Sequence, residues 1–120
     1  MNKFHQGDII IVDFDPSKGH EIKKRRPALV ISRDEYNRSS PLVVVCPITS
    51  TTKSRPFLVS LNGSFENEGL TKPSKVNTGQ IFTLDVSPSG NRNAKLIGKL
   101  PKRQFLIIAQ YILNVFNFNL

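Results

Sequence analysis

Residues 7–32 read GDIIIVDFDPSKGHEIKKRRPALVIS and carry the strongest strand signals in the chain. Two apolar runs typical of β-strands, residues 9–14 and 28–31, lie on either side of a polar loop. The loop holds the densest charge in the chain: Lys18, His20, Glu21, Lys23, Lys24, Arg25 and Arg26. The runs predict a pair of core strands. The loop between them is a nucleic-acid surface, a catalytic surface or a solvated turn.

The two runs differ in the kind of strand that they predict. Residues 9–15 alternate and predict a first strand that becomes half-exposed toward its end. Pro27 biases the preceding Arg26 toward extended backbone, so the second strand is expected to begin there. Residues 28–32 are apolar on both faces, which is typical of a central strand.

Further strands are predicted downstream. Residues 42–48 are rich in β-branched side chains and form a third strand, and residues 57–61 form a fourth. Asn62-Gly63 signals a hairpin, whose return strand is expected around residues 65–70. Residues 75–85 alternate in polarity and predict one continuous last strand.

The C-terminal region is predicted to be helical, with Pro101 in its first turn. Its apolar stripe recurs at spacings of three and four: Phe105, Ile108, Ala109, Ile112, Val115 and Phe116. Leu106, Leu113 and Phe118 lie off that stripe, so the helix must be buried on more than one side or pack against another chain. Many short strands followed by one helix predict a single domain, residues 1–120. We expect a compact β-barrel with added helices, mainly β with added α, that forms a homodimer.

The chain is strongly basic. Its 120 residues carry a formal charge of +8 at pH 7, with a pI near 10.0. After Asp85 there is no acidic residue, although five basic ones follow: Arg92, Lys95, Lys99, Lys102 and Arg103. Such a surface attracts polyanions, most commonly nucleic acid. The alternative is charge that serves only solubility.

Several other classes of protein are disfavoured. Cys46 is the single cysteine, so no internal disulfide can form, and its apolar neighbours predict a buried residue rather than a nucleophile. With two histidines and one cysteine, no zinc-binding spacing exists. No stretch approaches the roughly 18 apolar residues of a membrane span, and the N-terminal residues lack the apolar core of a secretory signal. We expect a cytoplasmic protein with no membrane partner.

Arg26 is the strongest candidate for a residue that contacts phosphate, because a guanidinium group matches phosphate oxygens bidentately. The alternative is a structural arginine paired with Glu21 or Asp13. Thr49 offers a hydroxyl donor at the end of the third strand, where threonine more often marks only a turn. Asp13 and Asp15 share a strand face and could hold Mg²⁺. The alternative for this pair is a solvated strand end beside lysines.

Two blocks of the sequence combine these residues in a specific way. The first block is Gly7-Asp8, Asp13-Phe14-Asp15-Pro16, Gly19-His20-Glu21 and Arg26-Pro27-Ala28-Leu29-Val30-Ile31-Ser32; the second is Pro47-Ile48-Thr49-Ser50 with Lys53, Pro56 and Phe57. Gly79-Gln80-Ile81 and Leu84-Asp85 form a later match. With the apolar C-terminal helix, these blocks resemble the MazF/PemK family of toxin endoribonucleases (mRNA interferases) from type II toxin–antitoxin systems.

The resemblance implies a small SH3-like β-barrel with a C-terminal helix, a CcdB/MazF-like fold that dimerises. It implies cleavage of single-stranded RNA, commonly mRNA, at short sequence motifs, without a metal or other cofactor. In that reaction the ribose 2′-hydroxyl attacks the adjacent phosphate and leaves a 2′,3′-cyclic phosphate and a 5′-hydroxyl. It also implies a cognate MazE-like antitoxin, whose acidic disordered segment folds over the RNA groove.

Carried over position by position, the resemblance makes Arg26 and Thr49 the catalytic residues and gives Glu21 a supporting role. Arg26 and Thr49 would stabilise charge on the phosphate oxygens. Arginine hardly deprotonates, so the general base is left open between Glu21, His20 and a water. The residues expected to bind RNA are His20, Lys18, Lys23, Lys24, Arg25, Ser50, Lys53, Arg55 and Gln80.

The chain departs from the resemblance at two positions. Some relatives have an acid where this chain has Gly79, and an aromatic residue where it has Ile11. Both differences bear on the recognised RNA motif more than on the activity. Two other functions fit the same fold: a non-catalytic toxin that binds DNA gyrase through its C-terminal helix, and a plain RNA-binding barrel.

Overall fold

The computed structural model describes residues 2–14, 25–61, 70, 72–116 and 118. Within them, seven strands form an antiparallel sheet: Asp8–Asp13 (β1), Arg25–Val30 (β2), Leu42–Thr49 (β3), Leu58–Ser60 (β4), Lys75–Asn77 (β5), Phe82–Asp85 (β6) and Lys95–Lys99 (β7). The helices are Asp34–Arg38 (α1), Lys102–Phe116 (α2) and a 3-10 helix at Pro88–Gly90. This arrangement confirms the predicted fold class, mainly β with a C-terminal helix.

The centre of the sheet is made by β1, β2 and β3. The strand order is β4-β5-β3-β2-β1-β7, and β6 also pairs with β3. Ile10 and Val12 lie in one buried cluster, whereas Ile9 and Leu29 lie in another. The two apolar runs therefore fill the core on both faces of the sheet. Each such side chain stabilises the fold by about 1.5–3 kcal/mol when it is fully buried.

The expectation that the first strand becomes half-exposed at its end is wrong for Asp13. This last residue of β1 is only 8% exposed. Arg25 Nη1 lies 3.2 Å from Asp13 Oδ1, and Arg92 Nη1 donates to the backbone oxygen of Asp13 at 3.0 Å. A buried carboxylate requires partners of this kind. Two arginines distant in sequence therefore cover a strand end that the local pattern marked as polar.

The prediction of one continuous strand at residues 75–85 is also wrong. The segment forms two strands: β5 pairs with the C-terminal end of β3, and β6 pairs with its N-terminal half. Between them the chain turns at Asn77, whose side-chain oxygen accepts from the Gly79 N–H at 3.1 Å and whose backbone oxygen accepts from the Gln80 N–H at 3.3 Å. An asparagine followed closely by glycine is a turn signal. It outweighed the alternation on either side.

The fourth strand has a partner other than the predicted one. In the described residues β4 pairs with β5, with Val59 opposite Val76. The return strand predicted around residues 65–70 lies outside the described residues except for Leu70, which is buried. The β4–β5 pair forms one wall of the site described below.

The helix α2 begins at Lys102, so Pro101 directly precedes the first turn in which it was predicted, and the Pro101 oxygen accepts from the Phe105 N–H at 2.9 Å. Ile108 is fully buried, and Phe105 and Ile112 pack against the same cluster. The large apolar side chains of α2 that stay exposed are Leu106, Ile107, Tyr111, Leu113, Val115 and Phe116. No helix in the described ranges is long and apolar enough to cross a bilayer.

Candidate active site

The ends of β2 and β3 carry Arg26 and Thr49 to the same place on the surface. The strands pair with Ala28 opposite Pro47, and the same register continued by two residues puts Arg26 opposite Thr49. Both side chains line two adjoining cavities of about 360 and about 410 Å³. Among the described residues, these two alone line both cavities. The two predicted phosphate-binding donors therefore lie at a junction.

The hydroxyl group of Thr49 is placed to donate a hydrogen bond. Its Oγ1 accepts from the backbone N–H of Thr51 at 3.3 Å. An oxygen that accepts in this way keeps its own proton for another acceptor. Thr49 is half-buried where β3 pairs with β5, so the group is held by the sheet as well as by the loop. A phosphate oxygen at the junction would be a suitable acceptor.

The smaller cavity, which we call the lysine cavity, is polar and cationic. Besides Arg26 and Thr49 it is lined by Pro27, Ile48, Ser50, Leu70, Lys72 and Ser74. Ser50 was predicted to bind RNA, whereas Lys72 and Ser74 were not. Two cations at the rim of one cavity favour an anionic occupant.

The larger cavity, which we call the phenylalanine cavity, combines an aromatic ring with amide groups. Besides Arg26 and Thr49 it is lined by Pro47, Thr51, Arg55, Pro56, Phe57, Leu58, Asn77, Gly79 and Gln80. Arg55 and Gln80 were both predicted to bind RNA. The Phe57 side chain is 40% exposed, and an aromatic ring open to solvent is the kind of platform on which single-stranded nucleic acids stack their bases.

The loop at residues 50–57 joins the two cavities and is held at several points. Lys75 Nζ, on β5, donates to the backbone oxygen of Lys53 at 2.6 Å. The Lys53 N–H donates to Thr51 Oγ1 at 3.1 Å, and the Leu58 N–H donates to the Arg55 oxygen at 3.1 Å. The Lys53 side chain, predicted to bind RNA, remains exposed. Lys53 and Arg55 therefore lie on a loop whose backbone is held by hydrogen bonds.

Arg25, also predicted to bind RNA, has protein partners. Its Nη1 contacts Asp13 Oδ1 at 3.2 Å and donates to the backbone oxygen of Asn93 at 3.0 Å. The ion pair with Asp13 that was one alternative for Arg26 is thus made by Arg25. Among the described residues, no carboxylate lies within ion-pair distance of Arg26. Arg26 is exposed and lines both cavities.

The carboxylate pair considered for Mg²⁺ is incomplete in the described residues. Asp13 is engaged by Arg25, and Asp15 lies outside these residues. Nowhere in the parts of the chain that the structure describes do three or more His, Cys, Asp or Glu side chains come together as metal ligands would. The magnesium interpretation gains no support from this part of the chain.

Five predicted site residues lie outside the described residues: Lys18, His20, Glu21, Lys23 and Lys24. The supporting role of Glu21 and the choice of general base therefore stay predictions. The single cysteine is described. Burial raises the pKa of the Cys46 thiol to about 12, and the side chain is inaccessible, which confirms a buried residue rather than a nucleophile.

The lining residues that were not predicted as site residues include Phe57, Lys72, Ser74 and Asn77. Asn77 had a detectable signal, because Asn-x-Gly marks a turn and turns carry binding residues. Lys72 and Ser74 follow no periodic pattern. Their position depends on how the chain returns to β5, which no local signal predicts.

The sequence is similar to that of known toxin proteins. Residues 5–116 match the family model of the PemK-like, MazF-like toxin of type II toxin-antitoxin systems. The sequence is 41% identical over 70 residues to the endoribonuclease toxin MazF of Escherichia coli (strain K12), across 58% of this chain and 62% of that protein. It is 32% identical over 95 residues to the endoribonuclease PemK of Escherichia coli, across 77% of this chain and 68% of that protein.

The match to a solved structure extends over nearly the whole chain. One chain in the crystal structure of MazE-MazF (Form-I) from Deinococcus radiodurans superposes with a TM-score of 0.73 at 25% identity. The superposition covers 95% of this chain and 96% of that chain. The similarity therefore includes the strands that carry both cavities as well as α2.

Proposed function

This chain belongs to the family of PemK-like, MazF-like toxins of type II toxin–antitoxin systems, and on this premise we propose that it is an endoribonuclease that cleaves single-stranded RNA at sequence-specific sites. The observation that carries the proposal is the junction: Arg26 and Thr49 line both cavities. A phosphate at the junction can be contacted by both donors while its two nucleosides enter the two cavities. Both curated relatives are named endoribonucleases, which supports the proposal.

The proposed reaction uses the substrate's own nucleophile. The ribose 2′-oxygen attacks the adjacent phosphorus, and the bond from phosphorus to the 5′-oxygen of the next nucleotide breaks. One proton leaves the 2′-hydroxyl and one is delivered to the departing 5′-oxygen. The products are a 2′,3′-cyclic phosphate and a 5′-hydroxyl, and no metal is needed. DNA lacks the 2′-hydroxyl and is not a substrate.

Arg26 and Thr49 stabilise the transition state in this mechanism. Charge builds up on the non-bridging oxygens of the phosphate, where a guanidinium and a hydroxyl donor bind most strongly. The guanidinium stays charged at any working pH, so it is an anion stabiliser and not the base. The base is Glu21, His20 or a water. Removal of one such donor typically lowers the rate by about 10²–10³-fold.

RNA is held by the cations around the junction. Arg55 and Lys72 line one cavity each, and Lys53 is exposed on the loop between them. The net charge of +8 adds a longer-range attraction. Each phosphate contact releases counterions, so binding should weaken steeply as salt rises. Single strands are preferred because their bases can enter the cavities.

The same surface suits neutralisation by an antitoxin. The superposed chain comes from a MazE-MazF structure, and the cationic cavities of this chain would attract an acidic segment that folds on binding. The antitoxin would then compete with RNA. We further propose a cytoplasmic homodimer in which a second copy covers the exposed apolar face of α2, because so large an apolar patch is unusual on a monomer.

The test is a digest of pooled single-stranded RNA in the presence of EDTA. The parent should produce fragments with 5′-hydroxyl ends, and Arg26→Ala and Thr49→Val should each cut about 10²-fold more slowly or worse. Lys95→Ala is the matched control, because it removes a charge from β7, outside both cavities.

Intact RNA after incubation with the parent, or full activity in both cavity variants, contradicts the proposal. Retardation of RNA on a gel without shortening would indicate the plain RNA-binding barrel. Loss of supercoiling in a gyrase assay, with RNA left intact, would indicate the gyrase-binding toxin.

A further inference from the structure

We propose that the phenylalanine cavity is a nucleobase site that selects keto bases, guanine or uracil, over the amino bases adenine and cytosine. The inference rests on the proposed endoribonuclease function, since the base would belong to a nucleotide whose phosphate lies between Arg26 and Thr49. It assigns the choice of base to the side chains of Asn77 and Gln80, both of which line the cavity.

The orientation of the Asn77 amide follows from the backbone. The Gly79 N–H donates to Asn77 Oδ1 at 3.1 Å, and an N–H can bond only to the oxygen of the amide. Asn77 Nδ2 is therefore the atom that faces Gln80, and it donates to Gln80 Oε1 at 3.1 Å. The Gly79 N–H therefore fixes the orientation of the Asn77 amide, and Asn77 in turn fixes that of the Gln80 amide.

Gln80 is consequently left as a donor. Its Oε1 already accepts from Asn77, whereas its Nε2 has no hydrogen-bond acceptor among the described residues. Gln80 is exposed at the cavity, so its two amide hydrogens are available to a ligand. Arg55 lines the same cavity and can only donate. Gln80 and Arg55 can therefore contact a base in this cavity as hydrogen-bond donors.

Hydrogen bonds join Phe57 to the turn that carries Asn77 and Gln80. Thr78 is fully buried, and both its N–H and its Oγ1 donate to the backbone oxygen of Phe57, at 2.9 and 2.7 Å. Leu58, the next residue, lies opposite Asn77 in the β4–β5 pair. A base stacked on the Phe57 ring would therefore meet Gln80 at a set distance. A Cβ on Gly79 would lie 3.6 Å from Phe57 Cβ, so glycine keeps this part of the cavity open.

Donors in this position discriminate between bases. A free glutamine recognises adenine by using its oxygen and its nitrogen together, on N6 and N7. That pairing is weakened when the oxygen is already bonded. Guanine O6 and N7 and uracil O4 accept from donors, whereas the amino groups of adenine and cytosine would face them donor to donor. Stacking on Phe57 holds any base, so the selectivity comes from the amide.

The experiment is a digest of a random-sequence single-stranded RNA pool, followed by sequencing of the cut ends. At one position beside the cut, the parent should favour guanine or uracil over adenine or cytosine on the order of 10-fold. In N77D the new carboxylate still accepts from the Gly79 N–H but cannot donate. Gln80 Nε2 then turns toward it, Oε1 faces the cavity, and the preference at that position should move to adenine or cytosine.

Two further variants keep the test decisive. Q80E leaves the Asn77 bond in place and presents a second carboxylate oxygen, so it should shift the preference the same way; Gln80 is exposed and the change should not impair folding. N91D adds the same charge at an exposed position before β7, outside both cavities and away from α2, and should leave the motif unchanged. Ratios between bases within one enzyme cancel any uniform loss of RNA affinity.

The outcomes separate this inference from the function on which it rests. Cleavage by the parent with equal use of all four bases beside the cut, or an unshifted preference in folded N77D and Q80E, overturns the keto-base site and leaves the endoribonuclease proposal intact. RNA that the parent does not cut overturns the endoribonuclease proposal, and this inference with it.

Discussion

Arg25 and Arg26 are adjacent on β2, yet the structure places them in opposite situations. Arg25 stands opposite Asp13 in the sheet, bonds to that carboxylate and to the Asn93 oxygen, and keeps 30% of its side chain exposed. Arg26 is exposed and lines both cavities beside Thr49. Successive side chains on a strand point to opposite faces. Two identical residues can therefore divide into one that stabilises the sheet and one that meets a ligand.

The largest expected effect comes from Arg26→Ala. Cleavage should slow by about 10²–10³-fold, because the phosphate loses its guanidinium partner. Arg26→Lys keeps the charge but loses the bidentate geometry, so its rate should lie between those of the parent and the alanine variant. Single-turnover cleavage measures the rate, and urea unfolding should match the parent. A large loss of stability in Arg26→Ala would erase the contrast with Arg25.

Arg25→Ala should act mainly on stability. It leaves the nearly buried Asp13 carboxylate without its side-chain partner, so the free energy of unfolding should fall by about 1–3 kcal/mol. The cleavage rate of the folded variant should stay within about threefold of the parent. Adding Asp13→Asn to Arg25→Ala should restore part of the stability, because the unpaired charge is removed. If Arg25→Ala unfolds like the parent but cleaves RNA much more slowly, then Arg25 acts in cleavage and the assignment of the two arginines is wrong.

Lys75→Met tests a residue that supports the site without facing the ligand. Loss of the bond to the Lys53 oxygen should loosen the loop that orients Thr49, and kcat/KM should fall by roughly 3–10-fold, as for one hydrogen bond. Lys75→Arg should restore most of the rate. Lys95→Met removes an equal charge from β7 as the control. A deficit that disappears at high salt would mean that Lys75 acts only through long-range charge.

The smallest effect is expected at Asp34, which lines neither cavity. The Gln6 N–H first, and then His5, lower the pKa of this carboxylate. A lowered pKa in the folded state gives stability that is present above the unfolded value, near 3.9, and is lost as the pH falls through the folded value.

Hydrogen exchange of the Gln6 amide should therefore speed up in the parent as the pH is lowered below about 4, after correction for intrinsic rates. Asp34→Asn should largely remove this pH dependence. Glu35→Gln is the control, because Glu35 pairs with Arg33 instead of the N-terminal segment. A pH profile unchanged in Asp34→Asn would show that the segment is held by other contacts.

Much of the fold could be predicted because β1, β2 and β3 have strong local signals. Their apolar runs favour strands whichever strand they pair with, and Pro27 favours extended backbone at the residue before it. The prediction of one strand at residues 75–85 was wrong because an alternating pattern records the polarity of side chains but not the hydrogen bonds that they make. The side chain of Asn77 bonds to the following backbone and ends β5, so a period-two pattern spans two strands with different partners.

The site could be predicted in part. Arg26 and Thr49 followed from their chemistry and from the resemblance of their flanking residues to a known family. Lys72, Ser74 and Asn77 were missed because their contribution depends on where β5 lies beside β3. The alternative in which Arg26 pairs with Asp13 could not be decided from the sequence either, because strand register selects between neighbouring residues.

The strand-forming runs, the basic charge, the apolar C-terminal helix and the residue types able to bind a phosphate could all be predicted, because each depends on local composition and spacing. Which of these residues meet depends on the folded chain. Antiparallel register placed Arg25 on Asp13 and left Arg26 beside Thr49. The physical reason is that a hydrogen-bond ladder sets contacts between residues distant in sequence, and a shift of one residue would reverse which arginine faces the cavities.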